Sequence, residues 1–534
     1  MAEDVAPLLC LGESDLSDVL GELEAPEPFV FSRRWDRLGG RLGAMINAAA
    51  VADAIGTDFR FVWPRGADAE VNQPSQIFED AFLDRHEISE EDLLRRSLLQ
   101  FDARKTVEEM RTELLDRNRA VALGIGEMFK VLCFQGEDRA AASSRYRLAF
   151  EAIGWSRRAR EIIAFFAALG RQTRYHAIHF RGGDIVTGEW RQFMAYEKYV
   201  PLPYVKRAIR TLSGSARTSI LVMSDSPAAV AYLRDCFPQV QTPSEFYPAY
   251  ASLSEVEQAL ADIMLLANSR SIVGPKRSAF SHVAANIGGV DFVQTDEFAP
   301  VGGEARMLAG WIDRQPPKVT RSSWLRPFLA RDVCWHVDVF GDQLRRKRRL
   351  ALARAAVRLD PDFAAALARQ AREAALLGRI REAKTAAKRA YLIAQHATRH
   401  DDPLLDALSA WISARCLALV GGRIPPTVRR LRSLEEKLDV CRKLRTHQMR
   451  RADIIEQLDF QLKAAAWLAT PKPRAGVPVP MAPRGSIAMG LAGYRSEERF
   501  DPVLIGLMRI TRHMARALHA ADSPPRRRSI RAQS

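Results

Sequence analysis

His179, Arg181, Asp184 and Glu189 fall within a single short stretch, Tyr175-His176-Ala177-Ile178-His179-Phe180-Arg181-Gly182-Gly183-Asp184-Ile185-Val186-Thr187-Gly188-Glu189. Their chemistry is complementary. An arginine presents a planar fork that matches phosphate oxygens, and a carboxylate a few residues away can take a proton from an attacking hydroxyl. The apolar run before His179 has strand length, and the two glycines free the backbone just beyond it. In open α/β sheets such strand ends are where ligands bind. An arginine beside two glycines is also the composition of an ordinary surface turn, so the rest of the chain has to supply the context.

Two other stretches carry polar groups at the ends of expected strands. Phe29-Val30-Phe31 reads as a strand, and Leu38-Gly39-Gly40-Arg41-Leu42-Gly43 reads as a loop leading into an apolar-periodic helix over 42–55. Glycines there would let the backbone approach an anion. Gly39, Gly40 and Gly43 do not make the GxGxxG pattern, so a nicotinamide cofactor is not indicated. Further on, a helix expected over 255–267 carries Asp262. The strand Ser271-Ile272-Val273 then runs through a loop to Ser278-Ala279-Phe280-Ser281 at the start of another helix.

These elements imply an α/β protein. Strands alternate with helices in two runs, at 28–170 and 171–315, each expected as a Rossmann-like domain around a parallel sheet. Residues 75–170 read mainly as helix, with amphipathic stretches over 90–101, 106–118 and 156–169. Residues 1–27 read as an acidic peripheral arm, 316–340 as a linker or strut, and 341–470 as an all-helical domain. A Pro-rich linker, an amphipathic helix over 502–518 and a basic tail fill 471–534.

The order His179, Arg181, Asp184, Glu189, followed by Glu197-Lys198-Tyr199, resembles the core motif of the alpha-1,6-fucosyltransferases and the nodulation fucosyltransferases. The glycine-rich first loop, the Trp63-Pro64 pair and the segment from Asp262 to Ser281 resemble the same superfamily, in its order along the chain. The resemblance implies a GT-B fold of two Rossmann-like domains and an inverting, metal-independent transfer from GDP-fucose, with no cofactor beyond that donor. It implies that Arg181 stabilises the β-phosphate of the departing GDP and that Glu189 is the general base. Asp262 would accept hydrogen bonds from guanine, with the His179 backbone beside it. Ser278 would help hold the β-phosphate, and Asp184, Phe280, Ser281, Gly39, Gly40 and Arg41 would complete the donor site. One departure stands out: where the family commonly has two adjacent arginines, this chain has Arg181-Gly182. That opens two alternatives, a catalytically inactive sugar-nucleotide-binding scaffold acting through its helical domain and a transferase for another nucleotide sugar.

Charge is unevenly distributed. Residues 341–534 hold 39 Lys+Arg against 18 Asp+Glu, and residues 1–340 hold 40 against 46. The basic part implies a protein partner or an anionic membrane surface, or simply arginines on exposed helix faces. Nucleic acid is not indicated, for lack of a recognised module. The positions Ala356, Leu359-Asp360-Pro361, Gly378, Ile380, Ala383 and Ala390 resemble one tetratricopeptide repeat. The six cysteines form no CxxC pair, and the chain carries no apolar leader or span-length apolar run. The expectation is a bacterial-type cytoplasmic protein, able to lie peripherally on the inner membrane through the helix over 502–518, with a glycan, lipid-linked sugar or protein as acceptor.

Overall fold

A computed structural model of the protein describes residues 27–65, 73–115, 121–195, 198–214, 218–298, 303–313, 323–397, 401–420, 428–444 and 448–469, with 480–481, 510–511 and 514–516. Most of the acidic arm, of the Pro-rich linker and of the helix over 502–518 lies outside the described residues. The chain forms two compact units. The first comprises Met1–His179, Ile209–Met223 and Arg234–Thr295, and the second Phe180–Ala208, Ser224–Leu233 and Asp296–Ser534.

Both sheets belong to the first unit, and every strand pair in them is parallel. Strands β1 (Phe29–Arg33), β2 (Asp58–Val62), β3 (Ser97–Gln100) and β4 (Val121–Ile125) lie in the order β2-β1-β4-β3. Strands β5 (Tyr175–His179), β6 (Ser219–Met223), β7 (Val240–Gln241), β8 (Ser271–Gly274) and β9 (Asp291–Gln294) lie in the order β7-β6-β5-β8-β9. From β5 the chain builds first toward β6 and then returns to place β8 on the other side. The sheet therefore reverses its direction of growth between β5 and β8, which is where doubly wound sheets open a crevice for ligands.

Helices cover the sheets for the usual reason: parallel strands buried on both faces must be packed against apolar helix surfaces. Helices α1 (Leu38–Ile55), α4 (Glu255–Ala267) and α5 (Ala279–Gly288) do this, while α2 (Arg139–Glu151) packs on α1 and α5, and α3 (Arg157–Gln172) packs on α4. One hydrophobic cluster runs through both layers, from Val30, Leu42 and Leu123 to Leu260, Ile272 and Val283. Helix α4 is apolar on nearly every side, as befits a helix packed between neighbours. Ser254 and Glu257 close its start with a capping box.

Three sequence expectations need correction. The helix expected over 90–101 stops at Leu94, and Ser97–Gln100 is an edge strand beside β4. Strand β4 interrupts the region expected as mainly helix, because a five-residue apolar run has no period that separates strand from helix. The glycine loop at 38–43 is already helix: α1 starts at Leu38, and the amides of Gly40 and Arg41 donate to the Arg37 carbonyl. These glycines serve packing instead. A Cβ on Gly39 would come 2.7 Å from the Phe280 Cα, and one on Gly43 would come 2.7 Å from the Val283 side chain.

From Leu325 onward every described element is helical. Part of the expected linker is itself a helix, α6 (Leu325–Phe340), with Arg331 and Asp332 fully buried. It is followed by α7 (Arg346–Leu359), α8 (Ala364–Leu376) and further helices at Ile380–Ala394, Asp401–Val420, Val428–Lys443 and Gln448–Ala469. Ala356, Ala383 and Ala390 are completely buried, so small side chains let these helices approach closely, and Gly378 takes φ +71° in the turn before Ile380. No described helix is long and apolar enough to cross a membrane.

Gly39→Ala tests the packing of α1 on α5. An alanine would normally strengthen a helix interior by about 1 kcal/mol. Here overpacking against a rigid backbone should dominate, and chemical denaturation should find a loss of about 1–3 kcal/mol.

Candidate functional site

The carboxyl ends of β5 and β8 bring four of the expected residues together in the first unit. His179 ends β5, and its Nδ1 lies 2.7 Å from the Ser281 hydroxyl and 3.4 Å from that of Ser278. Ser278 is the N-cap of α5, its hydroxyl accepting from the Ser281 amide at 3.3 Å. The Phe280 ring is 5.4 Å from the imidazole. Ser278 and Ser281 are almost wholly buried, so their mutual bonding with His179 satisfies hydroxyls that would otherwise be costly to bury. The Ser281 and His282 amides are taken by Ser278, while those of Ala279 and Phe280 have no hydrogen-bond partner among the described residues. A helix start with open N–H groups and no acid in its first turn favours an anion. Gly39 brings the first turn of α1 against this same point, through the Phe280 backbone.

Asp262 sits in α4 and is partly buried. Burial pushes its carboxyl up to about 7, partly offset by the Tyr250 hydroxyl, which donates to Oδ1 at 2.7 Å. Such a carboxyl stands between acid and base at neutral pH, as does that of the wholly buried Asp332 in the helical part of the chain. Arg41 is placed differently. It is 5% exposed, its Nε and Nη1 donate to the carbonyls of Asp36 and Pro64, and its guanidinium lies 4.9 Å from the Trp63 ring centre. That braces the start of α1 against the end of β2. The Gly40 amide donates to the Arg37 carbonyl at 3.0 Å, within the start of the same helix.

The second unit holds Arg181, Asp184 and Glu189. Gly183–Thr187 form one π-helical turn, a form that recurs at functional sites. Arg181 Nη2 pairs with Asp184 Oδ2, and Asp184 Oδ1 is buried with no hydrogen-bond partner among the described residues. Glu189 is partly buried, just past the turn.

The residue that organises this loop was not singled out from the sequence. Asp225 accepts three consecutive backbone bonds, from Gly182 at 2.7 Å, Gly183 at 2.8 Å and Asp184 at 3.0 Å. Gly183 has to be glycine for this, because a Cβ there would come 2.3 Å from the Asp225 carbonyl oxygen. The available signal was the Ser224-Asp225-Ser226 run after β6, a polar strand end of the same kind as the one after β5. Among the described residues no group of three or more His, Cys, Asp or Glu is arranged to hold a metal ion.

Asp225→Asn should be costly, since a carboxamide can offer one acceptor oxygen and turns an N–H toward a donor. Losing charge-assisted bonds of this kind should lower stability by about 2–3 kcal/mol in a urea titration.

No family model matches the sequence, and no curated protein matches it. Solved structures do. The chain is similar to fucosyltransferase NodZ from Bradyrhizobium, with 20% identity and a TM-score of 0.30 over 48% of this chain and 92% of that one. It is similar to NodZ alpha-1,6-fucosyltransferase co-crystallized with GDP, with 20% identity and a TM-score of 0.30 over 48% and 91%. It is also similar to POFUT1 in complex with GDP-fucose, with 12% identity and a TM-score of 0.28 over 50% and 97%.

Proposed function

We propose that the protein is an inverting glycosyltransferase that takes a nucleotide sugar, GDP-fucose in the first instance, and passes the sugar to a hydroxyl of a glycan, a lipid-linked sugar or a protein. The observation that carries the reading is the meeting of His179, Ser278, Phe280 and Ser281 at the β5/β8 reversal, beside open helix amides. These are residues that the fucosyltransferase-like motifs had already singled out. The β5–β9 sheet would carry the donor and the β1–β4 sheet the acceptor side, as in a GT-B fold, with the tetratricopeptide-like helices as an added domain.

In this reading the β-phosphate sits at the start of α5, and the Asp262 carboxylate accepts the N–H and NH₂ pair of guanine. The acceptor oxygen bonds to the sugar C1 as the bond from C1 to the β-phosphate oxygen breaks, and Glu189 takes the hydroxyl proton. GDP leaves with growing negative charge, which the Arg181 guanidinium stabilises more in the transition state than in the bound donor. Asp184 holds that guanidinium in place, and Asp225 holds the backbone on which both stand.

The first test is calorimetry with GDP, UDP and GDP-fucose, which separates this reading from a transferase for another nucleotide sugar. Hydrolysis of GDP-fucose by wild type against Arg181→Ala follows. A drop of about 10²–10³ in rate is expected; equal turnover in the two proteins would remove Arg181 from the chemistry, and no turnover in wild type despite tight GDP binding would leave a binding scaffold.

Asp262 makes a second, independent prediction. Its carboxyl holds its proton up to about pH 7 in the free protein, and guanine needs the ionised form. Binding of GDP should therefore strengthen as pH rises from about 6 to about 8, with proton release, and level off above. The same shift makes stability fall as pH rises from the usual Asp range to about 7, because the unfolded chain has released a proton that the folded chain keeps. Asp262→Asn should abolish the slope in GDP affinity.

A further inference from the structure

The segment that follows the arginine loop, residues 188–195 with Lys198 and Tyr199, has little regular structure, yet its polar groups are held by residues 129 to 172 positions later in the chain. Arg191 donates to Asp360 Oδ1 at 2.9 Å, and its carbonyl accepts from Arg331 Nη2. The Gln192 side-chain oxygen accepts the Ala364 amide at the start of α8, at 2.9 Å. The Tyr199 hydroxyl donates to Asp332 Oδ1 at 2.6 Å, and Asp332 Oδ2 accepts the Trp311 indole at 2.7 Å. Arg331 is fully buried and stacks 4.1 Å from the Phe363 ring centre, and Asp360 is 3% exposed.

A further contact reaches the arginine loop itself. A Cβ on Gly182 would come 2.6 Å from Cζ of Phe328 in α6. The place of a side chain after Arg181 is therefore filled by a ring from the helical part of the chain. Charges buried this completely are costly unless matched, and removing one partner leaves the other stranded. A helical extension that served only an outside partner would not need to bury such charges against this segment.

We infer that helices α6 to α8 are a working part of the site, with Arg331 and Asp360 acting as positioning residues for the segment that carries Glu189. The inference rests on the proposed role of Glu189, and its test is built so that the two fail separately. Asp360→Asn and the milder Gln192→Ala, both in the full-length protein, are compared with wild type by hydrogen exchange over residues 184–195. GDP dissociation constants and turnover of GDP-fucose are measured alongside. Exchange in that segment should speed up by about tenfold while β1 and β8 keep their protection, since one anchoring bond is worth roughly that much. Turnover should fall by about 10–100-fold with GDP affinity kept within about twofold, because the loss concerns orientation of the base and not donor binding. Unchanged exchange in both variants would overturn the inference, as would faster exchange with unchanged turnover, or protection lost equally throughout the helices. If wild type turns over no nucleotide sugar, the transferase reading falls and the exchange data alone decide whether the segment is clamped.

Discussion

Three backbone N–H groups in a row, from Gly182 to Asp184, converge on the carboxylate of Asp225. Charge-assisted bonds are about twice as strong as neutral ones, and consecutive amides can face one acceptor only if the backbone turns tightly around it. That requirement accounts for the glycine at 183 and sets where the π-helical turn begins. Arg181 and Asp184 flank the amides so fixed, and their pairing is a consequence of the turn. An arginine on a mobile loop would have to be ordered at each encounter with an anion, and here that cost is met in folding.

The same principle of close approach governs the first unit. Helix α1 begins with glycines because its first turns lie directly on the backbone and side chains of α5, where any larger residue would push the two helices apart. Close packing of α1 on α5 also makes one apolar cluster of the two layers of strands. The starts of both helices are thereby fixed near the buried hydroxyls of Ser278 and Ser281, whose only economical partners in such a place are each other and His179.

The arginine-rich part of the chain is less of a surface than its charge implies. Arg349, Arg369 and Arg372 are all buried, as is Arg331 just ahead of this part, and Arg349 and Arg369 pair with Glu373 and Asp338. Asp360, which stands beside a proline in a turn, is one of the buried anions that these cations answer. The surplus of basic residues in 341–534 is thus partly internal, and only the remainder is available to an acidic partner.

Short-range physics made much of the chain legible in the sequence. The parallel strands at Phe29, Tyr175 and Ser271, the helix over Glu255–Ala267 and the polar strand end from His179 to Glu189 follow from period, capping and breaker residues, which are local properties. Ser278 as a helix cap beside His179 could be anticipated in part, since the cap is local and the histidine is not. Strands β3 and β4, the helical state of Gly39 and Gly40, the bracing role of Arg41 and the hold of Asp225 on the arginine loop depended on tertiary structure. Each is decided by a neighbour tens of residues away, and no local pattern records how a buried carboxylate or a glycine will be met across that distance.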